Sequence, residues 1–216
     1  MAAATETTSV EAKESQVDAK AEFLSNPLLA DVVFPKFDEV KPEHVVPGMR
    51  ALLGELHKQI DALEAAVEPT WAGLVEPLER ISDRHQRTWG VVSHLKGVQD
   101  TEALRKAVEE VQPENVALGL RLSQSRPLYE GFRALREGEG WGQLTPAQQR
   151  VVEIELRDFV LGGVALEGEA KERFNAIQQD LAQSCMRMCC MRMRMRMRAW
   201  TAPWGGPAAG RRMPRV

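Results

Sequence analysis

Met49-Arg50-Ala51-Leu52-Leu53-Gly54-Glu55-Leu56-His57-Lys58-Gln59-Ile60-Asp61-Ala62-Leu63-Glu64-Ala65-Ala66-Val67 is the stretch that decides the fold. Met49, Leu52, Leu53, Leu56, Ile60, Leu63 and Val67 recur at threes and fours, the spacing of one apolar stripe on a helix. Lys58, Asp61 and Glu64 fall on the opposite, solvated side. The pattern opens after Pro42 and Pro69 ends it, since proline cannot donate its backbone bond.

Working outward, the same period repeats. Thr70 is placed to cap a second helix in which Trp71, Leu74, Leu78, Ile81, Trp89 and Val92 face inward, with Pro77 expected to kink it. Asp100 or Thr101 caps a third helix that buries Leu104, Val108 and Val111, before Pro113 restarts the chain. Val116, Leu120, Leu128, Tyr129, Phe132 and Leu135 continue the pattern, broken at Pro127, and residues 138–142 read as a loop. Thr145-Pro146-Ala147-Gln148 puts threonine at the cap, proline at the first helical position and glutamine where a capping box needs it. The helix it opens carries Val152, Leu156, Phe159 and Val160, and Gly162-Gly163 stops it. A last helix follows from about Glu167, with Phe174, Ile177 and Leu181 as its stripe. No alternating strand pattern of useful length occurs, so the expected fold is all-α: antiparallel helical hairpins forming a bundle. Before it, residues 26–42 carry three prolines among short apolar clusters and read as an extended segment laid across a surface.

Two flanking segments differ from this body. Residues 1–25 are rich in Ala, Glu, Lys, Ser and Thr and read as a disordered leader. Its acids argue against an organellar transit peptide, and it has no apolar run suited to secretion. From Ser184 to Val216 the chain reads Cys-Met-Arg-Met-Cys-Cys and then alternating Met-Arg, with all three cysteines, seven of the nine methionines, eight arginines and no acid. Against the chain's net −3, that leaves −11 on the preceding residues. Methionine has one codon, so alternating Met-Arg requires a nearly perfect six-base repeat in the message. The segment therefore reads as a non-homologous, disordered tail. Its sulfurs suit Cu(I), although arginines between them would repel a cation, and its arginines suit a polyanion.

The body at 26–183 is long enough to bury roughly 70% of its unfolded surface. It has no cysteine, which fits a reducing compartment, and no apolar run long enough to cross a membrane. Its acidity excludes it as a nucleic-acid binder. A zinc peptidase needs two histidines one helical turn apart, and His44, His57, His85 and His94 offer no such pair. No phosphate loop or nucleophile elbow is present. Glu109-Glu110 and Glu153/Glu155 read as helix surface. No catalytic, cofactor-binding or metal-ligating residue is assigned.

A run of short pieces carries a family resemblance. In order these are Asn26-Pro27-Leu28-Leu29, Phe34-Pro35-Lys36-Phe37, His44-Val45-Val46-Pro47-Gly48, Val67-Glu68-Pro69-Thr70-Trp71, Leu74-Val75-Glu76-Pro77-Leu78, Ser93-His94-Leu95-Lys96, Glu110-Val111-Gln112-Pro113-Glu114, Leu156-Arg157-Asp158-Phe159 and Phe174-Asn175-Ala176-Ile177-Gln178-Gln179-Asp180-Leu181. Together they resemble the N-terminal helical region of the thimet oligopeptidase family of zinc metallopeptidases, in its oligopeptidase A branch and plant or algal type.

The resemblance implies a helical scaffold forming part of the wall of a channel that admits short peptides. It also implies that the zinc-binding His-Glu-x-x-His helix belongs to a part of the family with no matching positions here. The chain is thus expected to be inactive alone, cofactor-free and cytoplasmic, with plastid or mitochondrion as the alternative compartment. Neither nucleic acid nor membrane is expected as a partner. A freestanding helical interaction module with a basic polyanion-binding tail is the alternative reading.

Overall fold

A computed structural model of the protein describes residues 25–201, with side chains through residue 185. The leader up to Leu24 and the last residues, 202–216, lie outside the described residues. Every regular element among the described residues is helical, as the periodicity requires.

Helix α1 spans Pro42–Ala65. Pro42 at its first position has no N–H to leave unpaired, and the Lys41 N–H donates to Nδ1 of His44 at 3.1 Å, closing the end of the helix. Met49, Leu52, Leu56 and Ile60 are almost completely buried. Val67 falls beyond the helix, half-buried against the same core. A π-turn follows at Trp71–Val75, with Thr70 Oγ1 accepting the Gly73 N–H at 2.9 Å. The helix then tightens into α2, Glu76–Val98.

The kink expected inside this element at Pro77 is instead a change of pitch just before it. The Glu76 N–H reaches back five residues to Trp71 O, and Pro77 falls in the first turn of α2. A wide turn leaves room for a proline ring that would otherwise crowd the carbonyl four residues back.

Helix α3 spans Glu102–Ser123, and of the two candidate caps Thr101 is used, its hydroxyl accepting the Leu104 N–H at 3.2 Å. Pro113 does not restart the chain: α3 passes through it unbroken. Proline forfeits one bond, to the carbonyl of Glu109, a residue exposed enough for solvent to reach it. Packing supplies the rest. Arg50 on α1 reaches Glu110 at 3.0 Å and Glu114 at 2.9 Å, on either side of the proline, while Val111 and Leu118 are fully buried. The unbroken register carries the inward face from Val111 to Leu118, seven residues on. Val116 and Leu120, expected inside, are therefore only half-buried.

Ser125 caps α4 (Arg126–Glu137), and Pro127 lies in its first turn, so the expected break is real. A 3-10 turn at Glu139–Gln143 follows, its Trp141 ring 4.6 Å beneath the Arg136 guanidinium. Helix α5 (Pro146–Leu161) opens on the capping box read from the sequence: the Thr145 hydroxyl accepts the Gln148 N–H at 3.3 Å and the Gln148 side chain accepts the Thr145 N–H at 2.9 Å. It ends at Gly162-Gly163, where Gly163 has φ +88°, a conformation that favours glycine.

Helix α6 spans Gly168–Thr201. Of the segment expected to be a disordered tail from residue 184, residues 202–216 lie outside the described residues.

Helix α1 packs on α2 and, most extensively, on α3. Arg50 meets Glu110 and Glu114 while His57, Asp61 and Glu64 all meet Arg121, so α1 and α3 pack directly on each other and run parallel, and α2, which joins them in the chain, runs the opposite way. Helices α4 and α5 form an antiparallel hairpin, Arg136 level with Glu153 and Phe132 with Phe159. Helix α6 runs antiparallel to α3, with Asn175 bonded to Gln124 and Gln179 to the Pro113 carbonyl.

The core has two parts. One holds Val45, Met49, Val92, Leu95 and Val108 under the start of α1; the other holds Leu56, Ile60, Leu74, Leu118, Phe132 and Phe159 under the α4–α5 hairpin. Gly48 allows the extended segment to close over the first core. A Cβ there would lie 2.8 Å from the Asn26 amide, which donates to the His44 carbonyl.

Candidate functional surface

The four histidines are dispersed, each in a local structural contact. His44 closes the start of α1, and His57 Nδ1 accepts from Arg121 at 2.8 Å. His85 Nε2 pairs with Asn115 Oδ1 at 2.5 Å across α2 and α3, and His94 packs on Phe37 with ring centroids 5.0 Å apart. No two share a site. Among the described residues no group of three or more His, Cys, Asp or Glu converges as metal ligands need to.

The polar junction that the sequence did not reveal is centred on Arg121. Its guanidinium donates to Asp61 at 2.5 Å and Glu64 at 3.0 Å, and Glu64 also accepts from Ser125 Oγ at 2.7 Å. Burial works against the charge on Arg121, yet the bonds to Asp61 and Glu64 outweigh it and hold the group above its usual range. One arginine thus ties the end of α1, the end of α3 and the cap of α4 together. Helical periodicity placed Asp61 and Glu64 on the solvated side; it cannot show that a distant helix supplies their partner.

A second feature is the cleft of about 290 Å³ between α2, α3 and α5, lined in part by Glu79, Ser82, His85, Glu155, Asp158 and Phe159. Glu155, expected at the surface, is half-buried here. Burial raises its pKa first, and the nearby carboxylates of Asp158 and Glu79 raise it further. Its partners are repulsive acids with no paired base, which makes this a desolvated groove wall and not an acid–base pair.

The third feature is apolar. Val160 is 57% exposed, Leu161 68%, Ile177 47% and Leu181 58%, all on α5 and α6. Val160 was expected inside; the end of α5 turns it outward while Phe159 takes the buried place. Beside this face lies a groove of about 460 Å³ lined by Val116, Leu120, Leu161, Phe174 and Gln178. No helix among the described residues is long and apolar enough to cross a membrane.

Comparison with known proteins agrees with the helical order. The profile of the neurolysin/thimet oligopeptidase N-terminal domain matches residues 49–171. Probable cytosolic oligopeptidase A of Arabidopsis thaliana is 53% identical over 157 residues, 73% of this chain and 22% of that protein. The organellar (chloroplastic/mitochondrial) oligopeptidase A of the same plant is also 53% identical over 157 residues, 73% of this chain and 20% of its own length. Oligopeptidase A of Escherichia coli (strain K12) is 34% identical over 161 residues, 74% of this chain and 24% of its own. The chain therefore spans about a fifth to a quarter of the length of the relatives it matches. With more than half of its residues in that profile, the chain belongs to the neurolysin/thimet oligopeptidase N-terminal domain family.

Proposed function

We propose that this chain is the helical scaffold of a zinc-dependent oligopeptidase that cleaves short peptides, and that alone it hydrolyses none. The observation that carries this reading is the α5–α6 face. A helical domain matching about a fifth of its plant relatives leaves Val160, Leu161, Ile177 and Leu181 open to solvent on its last two helices. Side chains of that size each contribute about 1.5–3 kcal/mol when buried, a strong reason for a further part of such an enzyme to cover them. Zinc, in the resembled family, polarises the peptide carbonyl and activates water. This chain contributes shape, holding three helices in fixed order with the α4–α5 hairpin across one end.

Two experiments test the proposal. The purified chain, dialysed against zinc, should retain no stoichiometric metal and leave a quenched short peptide intact; chelator-sensitive turnover would overturn the claim of inactivity. Residues 26–183 grafted in place of the matched segment of the Arabidopsis cytosolic relative should preserve that protein's activity on short peptides. A soluble, folded graft without activity would overturn the scaffold reading.

We place the chain in the cytoplasm, with plastid or mitochondrion as the alternative, since relatives are named for both settings. A fluorescent fusion concentrated in an organelle would refute the cytoplasmic assignment.

A further inference from the structure

The two grooves beside α5 are one continuous trough. Gly119, Ser123 and Asp158 line both the apolar groove of about 460 Å³ toward α6 and the cleft of about 290 Å³ toward α2. Gly119 lies where they meet, and a Cβ there would find nothing within 4 Å. Glycine is unfavourable inside a helix, and no neighbour in this chain requires one at that position. Its effect is to leave bare backbone at the junction, open to an incoming chain.

The two halves differ in chemistry. Toward α6 the trough is lined by Leu120, Leu161 and Phe174. Toward α2 it carries the carboxylates of Glu79 and Glu155, from two different helices, and no lysine or arginine lines it. Among the described residues neither carboxylate takes part in a hydrogen bond or ion pair. Asp158, at the junction, is held by Arg157 at 2.9 Å, and His85 is held by Asn115. The cleft therefore contains two unpaired like charges, one of them half-buried. Burial, then Asp158 and Glu79, hold the Glu155 carboxyl above its usual range, as this crowding requires.

These features separate three occupants. A divalent metal needs several converging donors, and no group of three converges among the described residues. A wholly apolar segment would cover two carboxylates and leave them unpaired, which is costly. A guanidinium is weakly hydrated and has five N–H donors in a planar fork, so one group can serve two carboxylates while its neighbours lie on an apolar wall.

We propose that the trough along α3 receives an apolar segment bearing one arginine, supplied by the part of the oligopeptidase that covers α5 and α6, with its guanidinium between Glu79 and Glu155 and its apolar neighbours against Leu161 and Phe174. This rests on the scaffold reading and adds the chemistry of the covering segment. Charge complementarity carries it: the free domain has an acidic cleft with no cation of its own, directly continuous with its exposed apolar face.

Two measurements test it. In the first, the full chain is titrated with acetyl-Leu-Leu-Arg-Leu-amide and with the same peptide carrying uncharged citrulline for arginine, followed by the backbone amide resonances. The arginine peptide should bind about tenfold more tightly and shift Gly119, Ser123 and Glu155. Glu79→Gln with Glu155→Gln should remove that preference, and Leu161→Ser should weaken both peptides alike. No binding at millimolar peptide, equal binding of the two peptides, or shifts centred elsewhere would overturn the proposal.

The second measurement is a reversal of sign. Glu79→Gln with Glu155→Gln relieves repulsion in the full chain and should raise its melting temperature at pH 7 by about 2–4 °C. In the Arabidopsis cytosolic relative carrying residues 26–183 of this chain, the same pair would remove the partners of a buried arginine and should lower the melting temperature. A pair that stabilises both proteins would overturn the proposal while leaving the scaffold reading intact. A folded but inactive graft would overturn the scaffold reading, and with it the source of the arginine named here; the peptide titration, which uses this chain alone, still decides whether the cleft selects a guanidinium.

Discussion

Gly131→Ala is the sharpest probe of how closely α4 sits on the rest of the bundle. A Cβ at Gly131 would lie 2.5 Å from Val67 Cγ1 and 3.0 Å from Leu74 Cδ2. Leu74 is fully buried and has no room to retreat, whereas Val67 follows the end of α1 and can move only by shifting the chain that leads into the π-turn. Overpacking of this kind costs about 1–3 kcal/mol. Alanine also gains about 1 kcal/mol over glycine inside a helix, which obscures the steric term. Gly54→Ala on α1 isolates it, because a Cβ there meets nothing within 4 Å. In urea titrations followed by helical circular dichroism, Gly54→Ala should stabilise by about 1 kcal/mol, with Gly131→Ala about 1–3 kcal/mol below it at unchanged m. In a Val67→Ala background most of that gap should close. If Gly131→Ala stabilises as much as Gly54→Ala, α4 does not approach Val67 and Leu74 as described, and the packing argument fails.

Thr145→Ala removes half of the α5 capping box and should cost about 1 kcal/mol, with Thr145→Ser retaining most of it; chemical denaturation of the two variants side by side decides this. For Glu155 the sign follows from its raised pKa. The native carboxyl holds its proton more tightly than the unfolded one, so the cost of charging it is absent below about pH 4.5 and grows as pH rises through the folded value. Glu155→Gln should therefore match the parent in acid and be more stable at neutral pH, and a pH series showing the reverse order would contradict the desolvation described. Arg121→Ala should cost about 1–2 kcal/mol, mainly through Glu64, whose side chain is 22% exposed, since Asp61 at 68% is well screened. An effect abolished by 0.5 M salt would show the junction to be only a surface ion pair. Leu161→Ser with Leu181→Ser should leave the melting temperature unchanged but reduce concentration-dependent association in sedimentation velocity, as expected for an uncovered apolar face.

Local signals in the sequence located the helices well. Thr70, Thr101 and Thr145 all cap where their spacing to the next apolar run places them. Such signals are complete within four residues and do not depend on the fold. Pro113 shows the limit of the same reasoning. Proline disfavours a helix locally by about 3 kcal/mol, but Val111 and Leu118 buried on one face and Arg50 spanning the defect on the other favour continuity. Those contacts join residues some sixty positions apart, so no window on the sequence contains them. The Arg121 junction escaped for the same reason: His57, Asp61 and Glu64 share one face of α1, but the residue that makes them a unit lies on α3.

Glu155 and Val160 mark a different boundary, and it bears on function. Periodicity reports which face of a helix is apolar; it does not report what that face meets. On α5 the apolar face is wider than the α4 helix that covers it, so Phe159 is buried, Val160 is left in solvent, and Glu155 falls half inside the groove toward α2 and α3. On α6 the stripe of Phe174, Ile177 and Leu181 meets its neighbours only at Phe174. Among the described helices the mismatch is concentrated on these two, the other exposed large apolar side chain being Val98 at the end of α2. A domain with a general packing defect would show such exposure throughout. Exposure concentrated on the last two helices is the form that an interface takes, so the proposed scaffold has a definite side on which the rest of an oligopeptidase would sit.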